Sequence, residues 1–282
     1  MKVLILGAES LGVRSFCTFV ETQDVKIIID PGCALGTDRF NLPPHKLEVE
    51  KLWETWSKIN KALQDADVVI LTHYHYDHHH YRNANLYRNK TIFLKDFSRI
   101  NQRQKSRADI LFSQIKDFAK VIMADGGSFR FGNTKISFSA PLGHGYGKED
   151  IKIIAVFIED KTQTLLFSSD VSGAIDVEFM DFLMGKRIDT FIFDGFPIYL
   201  LNAGLKKKWL EDSKEKLLYI LEHNETKEFV IDHHSARCED WKNYYEEIFE
   251  INFLNFAGTA AEYMGYNPLY LEARRKLLFS GE

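Results

Sequence analysis

The sequence contains few cysteines, three among 282 residues, at Cys17, Cys33 and Cys238. Their number is odd and their spacings are wide, which excludes both a disulfide framework and a Cys-x-x-Cys metal clip. Free thiols are typical of a reducing compartment, and we therefore expect a cytoplasmic protein.

Long apolar runs are also lacking. No stretch approaches the roughly 18 uninterrupted apolar residues of a membrane-spanning helix. Glu9 ends the first apolar run before it reaches the length of a signal-peptide core. Charge of one sign does not dominate, because 36 Lys and Arg stand against 40 Asp and Glu, for a net charge of −4. We therefore expect no membrane association and no global electrostatic attraction to nucleic acid.

Histidine, by contrast, is abundant and clustered. The chain has ten histidines, and five of them fall within eight residues: His73, His75, His78, His79 and His80. An adjacent pair follows much later at His233 and His234. Clusters of this kind indicate a candidate metal site.

The order of predicted elements changes along the chain. A hairpin is predicted around residues 132–133, and a second one joins 151–158 to 164–167. Strands and helices then alternate. Helices are predicted at 46–63, 98–119, 176–184, 206–222 and 241–249. This order favours a two-sheet α/β sandwich over a Rossmann sheet. Because no repeat or long linker divides the chain, we predict a single domain over residues 1–282.

The densest histidine cluster directly follows a predicted buried strand, 67–72. Side chains at a strand's end are held by a rigid element yet face an open crevice. His73 and His75 can share one ion, and Asp77 and His78 can serve a second. Imidazole and carboxylate suit Zn²⁺, Fe²⁺ or Mn²⁺. The alternatives, a solvated loop or an expression tag, do not account for an internal run that contains an aspartate.

Such a site needs further ligands from distant segments. His144 lies between two glycines at the end of a predicted strand, and Asp170 follows another apolar strand. The strand 229–231 runs directly into Asp232, His233 and His234. All three segments place polar ligand types at strand ends.

The spacing, order and strand-end placement of these residues resemble the metallo-β-lactamase superfamily of hydrolases. Five segments also resemble one uncharacterised branch of it: residues 9–15, 42–45, 73–80, 194–197 and 232–234. The resemblance extends over nearly the whole chain. It implies a four-layer αββα sandwich with two mixed sheets and helices outside.

The resemblance also implies a dinuclear metal site. One ion would be bound by His73, His75 and His144, the other by Asp77, His78 and His233, with Asp170 bridging the pair. His234 competes with His233 for the last position. Because neighbouring side chains at a strand's end point to opposite sides, we expect only one of the two to face the metals.

Other residues near these motifs have two interpretations. Asp30 and Asp194 either accept a hydrogen bond from a ligand imidazole or simply end their strands. We interpret His45 as a loop residue, and His79 and His80 as surface residues where many superfamily members have a Gly-Gly pair. Three tyrosines either line a substrate pocket or pack beside it, with Tyr199 the best candidate for the pocket: Tyr74, Tyr76 and Tyr199.

The ligand set predicts a metal-dependent hydrolase. Two divalent ions, zinc first and iron or manganese as alternatives, would supply a metal-bound hydroxide that Asp77 orients. The expected substrate is a small ester, thioester, lactone or phosphoester.

Three other functions remain open. A phosphodiesterase acting on RNA or DNA would use the basic segments 99–107 and 206–208, although such charges on a helix are usually a solvated face. A mononuclear iron enzyme of oxygen chemistry is disfavoured, because Asp77 and Asp170 together indicate two metals. A binding protein on a decayed enzyme scaffold is disfavoured because every ligand position is filled.

Overall fold

The computed structural model describes residues 1–146 and 151–281, which form two large β-sheets with helices on their outer faces. The strands are β1 (Lys2–Ile5), β2 (Thr18–Glu21), β3 (Lys26–Ile29), β4 (Val68–Leu71), β5 (Thr91–Leu94), β6 (Lys120–Met123), β7 (Ser128–Phe131), β8 (Thr134–Phe138), β9 (Leu142–Gly143), β10 (Lys152–Ile153), β11 (Val156–Glu159), β12 (Thr164–Phe167), β13 (Thr190–Phe193), β14 (Glu228–Ile231) and β15 (Phe256–Gly258).

The described residues contain seven α-helices. They are α1 (Lys46–Asp65), α2 (Gln102–Ile115), α3 (Val177–Leu183), α4 (Lys207–His223), α5 (Glu246–Phe249), α6 (Ala260–Tyr263) and α7 (Arg275–Ser280). Short 3₁₀ helices add Glu9–Leu11, Ala84–Tyr87, Ile198–Ala203, Ser235–Arg237 and Trp241–Tyr244. None of the helices in the described ranges is both long enough and apolar enough to cross a membrane.

Both large sheets are mixed. The first has the order β1-β2-β3-β4-β5-β6, antiparallel up to β3 and parallel from β3 to β6. The second has the order β15-β14-β13-β12-β11-β8-β7, with β12 to β15 parallel. The strands β9 and β10 pair separately.

Alternation along the strands creates the layers. Ile27 and Ile29 of β3 are buried between the sheets, in one cluster with Phe167 of β12. Ile28 points the other way and packs in a cluster with Leu63 of α1. On the far side, residues of α3 and α4 cover the outer face of the second sheet. The predicted αββα sandwich is therefore confirmed.

The helix after β5 begins later than predicted. Ser98 does not cap it, because the Ser98 amide and hydroxyl donate instead to the Asp96 carboxylate, at 2.8 and 3.0 Å. Asn101 is the N-cap, and its side chain accepts from the Gln104 amide at 2.9 Å. The prediction of a helix starting at Ser98 is wrong, because Ser98 bonds to Asp96 in a local turn instead of capping the helix.

The region 241–249 also differs from its prediction as one helix. It consists of a 3₁₀ helix, Trp241–Tyr244, and the single turn α5. Trp241 and Tyr245 are both fully buried, and the Tyr245 hydroxyl accepts from the Phe196 amide at 3.0 Å.

The parallel strands bring their carboxyl ends to one edge of the sandwich. Asp30 follows β3, Thr72 follows β4, Ser168 follows β12, Asp194 follows β13 and Asp232 follows β14. In open α/β sheets such an edge is where ligands bind. The candidate ligands lie in the loops that begin at these positions.

Candidate metal centre

The structure brings together all seven residues that sequence analysis proposes as metal ligands. They are His73, His75, Asp77, His78, His144, Asp170 and His233. Two groups contain all seven, and within each group the possible ligand atoms lie within 4.8 Å of one another. The two groups share no residue, but Asp170 of the first also groups with His233 of the second. The geometry is therefore that of one cluster with two candidate ion positions.

The first position is formed by His73, His75, His144 and Asp170. The His73 Nε2 atom is 2.9 Å from His75 Nδ1 and 3.6 Å from Asp170 Oδ2. The His144 Nε2 atom is 3.3 Å from the same carboxylate oxygen. With metal–ligand bonds of about 2.0–2.1 Å, ligands of one tetrahedral ion are about 3.3 Å apart, so these separations fit a shared ion.

The second position is formed by Asp77, His78 and His233. His78 Nε2 is 3.2 Å from Asp170 Oδ2, and His233 Nε2 is 3.3 Å from it. Asp77 Oδ2 is 4.0 Å from His233 Nε2. Asp170 thus contacts imidazoles of both positions, which is the place that sequence analysis gives to the bridging ligand.

Three buried polar atoms in this cluster have no hydrogen-bond partner within residues 1–146 and 151–281. They are His78 Nε2, His144 Nε2 and Asp170 Oδ1. Leaving a buried polar group unpaired costs about 1–3 kcal/mol, so native proteins rarely do it. All three atoms are of types that bind zinc-like cations. The residues present therefore fit divalent ions at these positions.

The expectation that only one of His233 and His234 faces the cluster is wrong. His234 Nε2 is 3.8 Å from Asp170 Oδ2, against 3.3 Å for His233. The reason is the backbone: His233 has φ +44° and His234 has φ −69°, so the chain has left the extended conformation before it reaches them. Strand alternation does not apply to a left-handed residue.

Carboxylates fix the orientation of three of these histidines. His78 Nδ1 is 2.9 Å from Asp30, His233 Nδ1 is 2.7 Å from Glu9, and His234 Nδ1 is 2.9 Å from Asp194. In each case the other ring nitrogen points to Asp170. Carboxylate–imidazole pairs of this kind are typical of metal sites. Of the two interpretations of Asp30 and Asp194, the structure supports the acceptor role.

Thr72 connects the ends of both sheets beneath the cluster. Its amide and hydroxyl donate to the Asp30 carboxylate, at 2.8 and 2.6 Å. Its hydroxyl oxygen is also 2.5 Å from Ser169 Oγ, on the loop that carries Asp170. The two ligand-bearing loops therefore hold a fixed separation.

Close packing requires a glycine under the first ligand loop. A Cβ atom at Gly32 would lie 2.3 Å from the His79 amide nitrogen and 2.6 Å from two backbone atoms of His78. No side chain fits at this distance without moving the backbone. The Asp-Pro-Gly turn therefore places Asp30 and supports the histidine loop at the same time.

Carboxylates raise the pKa values of two imidazoles at the second position. Burial alone would lower the pKa of His78 and of His233. Asp170 and Asp30 nevertheless raise the pKa of His78 well above its usual range. Glu9 and Asp170 raise the pKa of His233 to about 10. Without a metal, these carboxylates therefore favour the protonated form of both imidazoles.

At the first position, by contrast, the pKa values of two imidazoles are lowered. Burial lowers the pKa of His75 to about 3, and burial together with the neighbouring His78 lowers that of His73 well below its usual range. Burial opposes ionisation of Asp170, yet the surrounding imidazoles, His78 foremost, hold its pKa well below the usual range. Neutral imidazoles beside a carboxylate are ready to accept a cation.

Glu9 and Arg237 contact the candidate metal ligands, and sequence analysis missed both. Glu9 is buried and uses its second oxygen to accept from Arg237 Nε at 2.7 Å. Arg237 is only 7% exposed, and its Nη2 atom lies 3.3 Å from His233 Nε2 and 3.8 Å from Asp77 Oδ2. A signal was available for Glu9, because it lies in a segment that carries the family resemblance, although the segment does not reveal its partner.

A pocket of about 620 Å³ opens at the cluster. His75, Asp77, His144, Asp170 and His234 line its inner end, and Tyr76 and Tyr199 line its walls. Tyr199 is therefore in the predicted pocket, and its hydroxyl accepts from Arg237 Nη1 at 3.3 Å. Tyr74 is fully buried and donates to the Lys95 carbonyl, so it is a packing residue.

Besides the exposed His223, three histidines lie outside the cluster. His45 is the N-cap of α1 and accepts from the Leu47 amide at 3.3 Å, which agrees with its interpretation as a loop residue. The interpretation of His79 and His80 as surface residues is wrong, because they are 1% and 6% exposed. The His79 ring bonds to the His75 carbonyl at 2.9 Å, and the His80 ring packs edge-on against Trp56.

Comparison with known proteins agrees with this geometry. The family model described as "Metallo-beta-lactamase superfamily" matches residues 11–79. A UPF0282 protein from Sulfurisphaera tokodaii is 40% identical over 290 residues, and the alignment covers 100% of this chain and 94% of that relative. Similarity at this level over the whole length is expected of members of one family.

Solved structures show the same fold at low sequence identity. A possible metal-dependent hydrolase from Veillonella parvula has a TM-score of 0.57 and 14% identity, covering 87% of this chain and 95% of that one. Zn²⁺-bound PqqB from Methylobacterium extorquens has a TM-score of 0.53 and 13% identity, covering 92% and 98%. Both likenesses concern the arrangement of the strands and helices.

Proposed function

The chain belongs to the UPF0282 family, within the metallo-β-lactamase superfamily, and from this premise we propose that it is a metal-dependent hydrolase. Its substrates would be small esters, thioesters, lactones or phosphoesters. The observation that carries the proposal is the double contact of Asp170, whose Oδ2 atom lies 3.3 Å from both His144 Nε2 and His233 Nε2. One carboxylate between two ligand groups can hold two ions close enough together to act on one substrate group.

The seven candidate ligands would hold two divalent ions. His73, His75 and His144 would hold one, Asp77, His78 and His233 the other, and Asp170 both. When bound, such a pair lowers the pKa of a shared water and acts as a Lewis acid on the scissile group. Zinc is favoured because the donors are imidazoles and carboxylates, with iron or manganese as alternatives. The zinc-bound state of the similar PqqB structure supports this choice.

Two further residues face the place where chemistry would occur. Asp77 lines the pocket beside His233 and would accept a hydrogen bond from the attacking water, holding it in line with the substrate. Arg237 Nη2 lies 3.8 Å from Asp77 and would donate to an oxygen of the substrate as negative charge develops on it. Glu9 keeps the guanidinium in this orientation.

The proposal can be tested with protein purified without a chelator or a His tag. We expect metal-loaded protein to hydrolyse at least one member of a panel of p-nitrophenyl phosphate, bis(p-nitrophenyl) phosphate, p-nitrophenyl acetate, lactones and thioesters. His73→Ala should remove that activity, because it deletes a ligand of the first position. His223→Ala is the matched control, since His223 is exposed at the end of α4. Equal activity in the two variants would refute the proposal.

A further inference from the structure

The pocket beside the metal centre is lined by an unusual number of arginines. Arg14, Arg103, Arg107 and Arg237 all contribute to it. Among the described residues, its carboxylates are Asp77 and Asp170, and both belong to the candidate metal centre. Once two divalent ions are bound, the pocket therefore carries a strongly positive charge.

Two of the four arginines are already neutralised. Arg14 makes two contacts of 2.6 Å with Glu272. Arg237 contacts Glu9 at 2.7 Å. These two guanidiniums belong to ion pairs that hold the fold together at the pocket.

Arg103 and Arg107 differ from this pair. They lie four residues apart on α2, and neither has a carboxylate oxygen within 4.0 Å in residues 1–146 and 151–281. Arg107 is half-buried and held in place: it donates to the Tyr74 carbonyl at 3.2 Å, and its guanidinium lies 4.2 Å from the centre of the Tyr76 ring. Where the described residues supply no counterion, an oriented guanidinium is a ready-made contact for phosphate or carboxylate.

We propose that Arg103 and Arg107 form a second anion-binding position in this pocket, and that the substrate is a small molecule with two anionic groups. One group would react at the metals beside Arg237, and the other would be held by α2. The inference rests on the proposed hydrolase function and deepens it, because it defines the class of substrate.

A small molecule suits the pocket better than a nucleic acid. The volume of about 620 Å³ falls within the roughly 300–1,000 Å³ of small-ligand sites. Both arginines line the same pocket as four of the candidate metal ligands. The basic segment that sequence analysis interprets as a solvated helix face thus has two members that line a pocket.

The test uses zinc-loaded full-length protein and hydrolysis-resistant probes. Titration calorimetry would compare alkyl phosphonates with α,ω-diphosphonates of the same chain length, over a series from short to medium chains. The two probes differ in one anionic group. We expect the diphosphonate to bind about tenfold more tightly than its matched monophosphonate at one or more lengths, as hydrogen bonds to charged groups provide.

Two pairs of variants show which residues cause the tighter binding of the diphosphonate. Arg103→Gln with Arg107→Gln should abolish the difference between the two probes. Arg99→Gln with Lys105→Gln removes the same charge from the same segment, but from side chains that do not line the pocket, and should retain the difference. Thermal unfolding of each variant verifies that it is folded.

The remaining outcomes separate this inference from the proposed function. The second anion position does not exist if no diphosphonate binds more tightly than its matched monophosphonate. The same conclusion follows if the variant with Arg103→Gln and Arg107→Gln still binds the diphosphonate more tightly. If a short RNA binds and both charge-removal variants weaken it equally, the basic helix is a nucleic-acid surface and the inference is overturned. Failure to load zinc would contradict the hydrolase proposal, while the two pairs of variants would still decide whether α2 binds the second anionic group.

Discussion

The rings of His233 and His234 lie 4.5 Å apart, and both direct Nε2 at the carboxylate of Asp170. Adjacent residues of a strand could not do this, because their side chains alternate. The left-handed backbone of His233, with φ +44°, makes it possible. The last strand therefore delivers two imidazoles to the metal centre.

The first prediction concerns His234. Because Asp194 fixes its Nδ1 atom and its Nε2 atom faces Asp170, we expect His234→Ala to weaken zinc binding about 10–100-fold. Competition with a chromophoric chelator would measure this. His223→Ala, on the exposed end of α4, should leave the affinity unchanged. Unchanged zinc affinity in His234→Ala would mean that the residue only lines the pocket.

The second prediction concerns the buried pair of Glu9 and Arg237. Glu9→Gln leaves a buried guanidinium without its counterion, and we expect it to lower the free energy of unfolding by about 3–5 kcal/mol. Arg237→Met combined with Glu9→Gln should recover most of that loss. Urea denaturation of the metal-free proteins would measure both. A double variant as unstable as the single one would show that the ion pair is not the cause.

The third prediction is proton release on metal binding. The pKa of His78 is raised well above its usual range and that of His233 to about 10, so we expect both to be protonated in the metal-free protein at neutral pH. A metal ligand must be neutral, and loading should therefore release about two protons. Calorimetry in buffers of different ionisation enthalpy would count them, and a count near zero would contradict the protonated state.

The same raised pKa affects the stability of the metal-free protein. The contribution from His233 is fully present below about pH 6.5, its ordinary pKa, and is lost as the pH rises through about 10. Affinity for zinc should rise over the same interval, because fewer protons must leave.

The fourth prediction concerns Gly32. Its Cβ would meet the His79 amide at 2.3 Å, so Gly32→Ala should displace the histidine loop, lower stability by about 3 kcal/mol and impair metal binding. Gly185→Ala has open space around it and a φ of +70°, and should cost only about 1 kcal/mol without affecting metal. The contrast would be measured by thermal unfolding and metal analysis, and similar effects of the two substitutions would refute the steric argument.

The sequence reveals the strand ends well. The strand β12 has the predicted bounds, and β4 and β14 lie within one residue of theirs, because each contains an apolar run closed by a polar residue. Since parallel strands end at one edge, the residues that follow them can be assembled into a ligand set from the amino-acid sequence alone. The strand β6, at the edge of the first sheet, was not predicted.

The parts that sequence analysis missed depend on tertiary contacts. Glu9 and Arg237 are 228 residues apart, and nothing local in either segment indicates the other. The orientation of His234 depends on the left-handed backbone of His233. The sequence does not indicate a left-handed conformation at a residue other than glycine. The burial of His79 and His80 depends on the packing of the loop against Tyr74 and Trp56.

The central claim is that Asp170 joins two ligand groups into one dinuclear centre. Equilibrium dialysis of the untagged protein against saturating zinc, followed by elemental analysis, tests it most directly. Seven ligand side chains are too many for one tetrahedral ion, so we predict close to two zinc ions per chain. A content that stays near one per chain at saturation would contradict the claim.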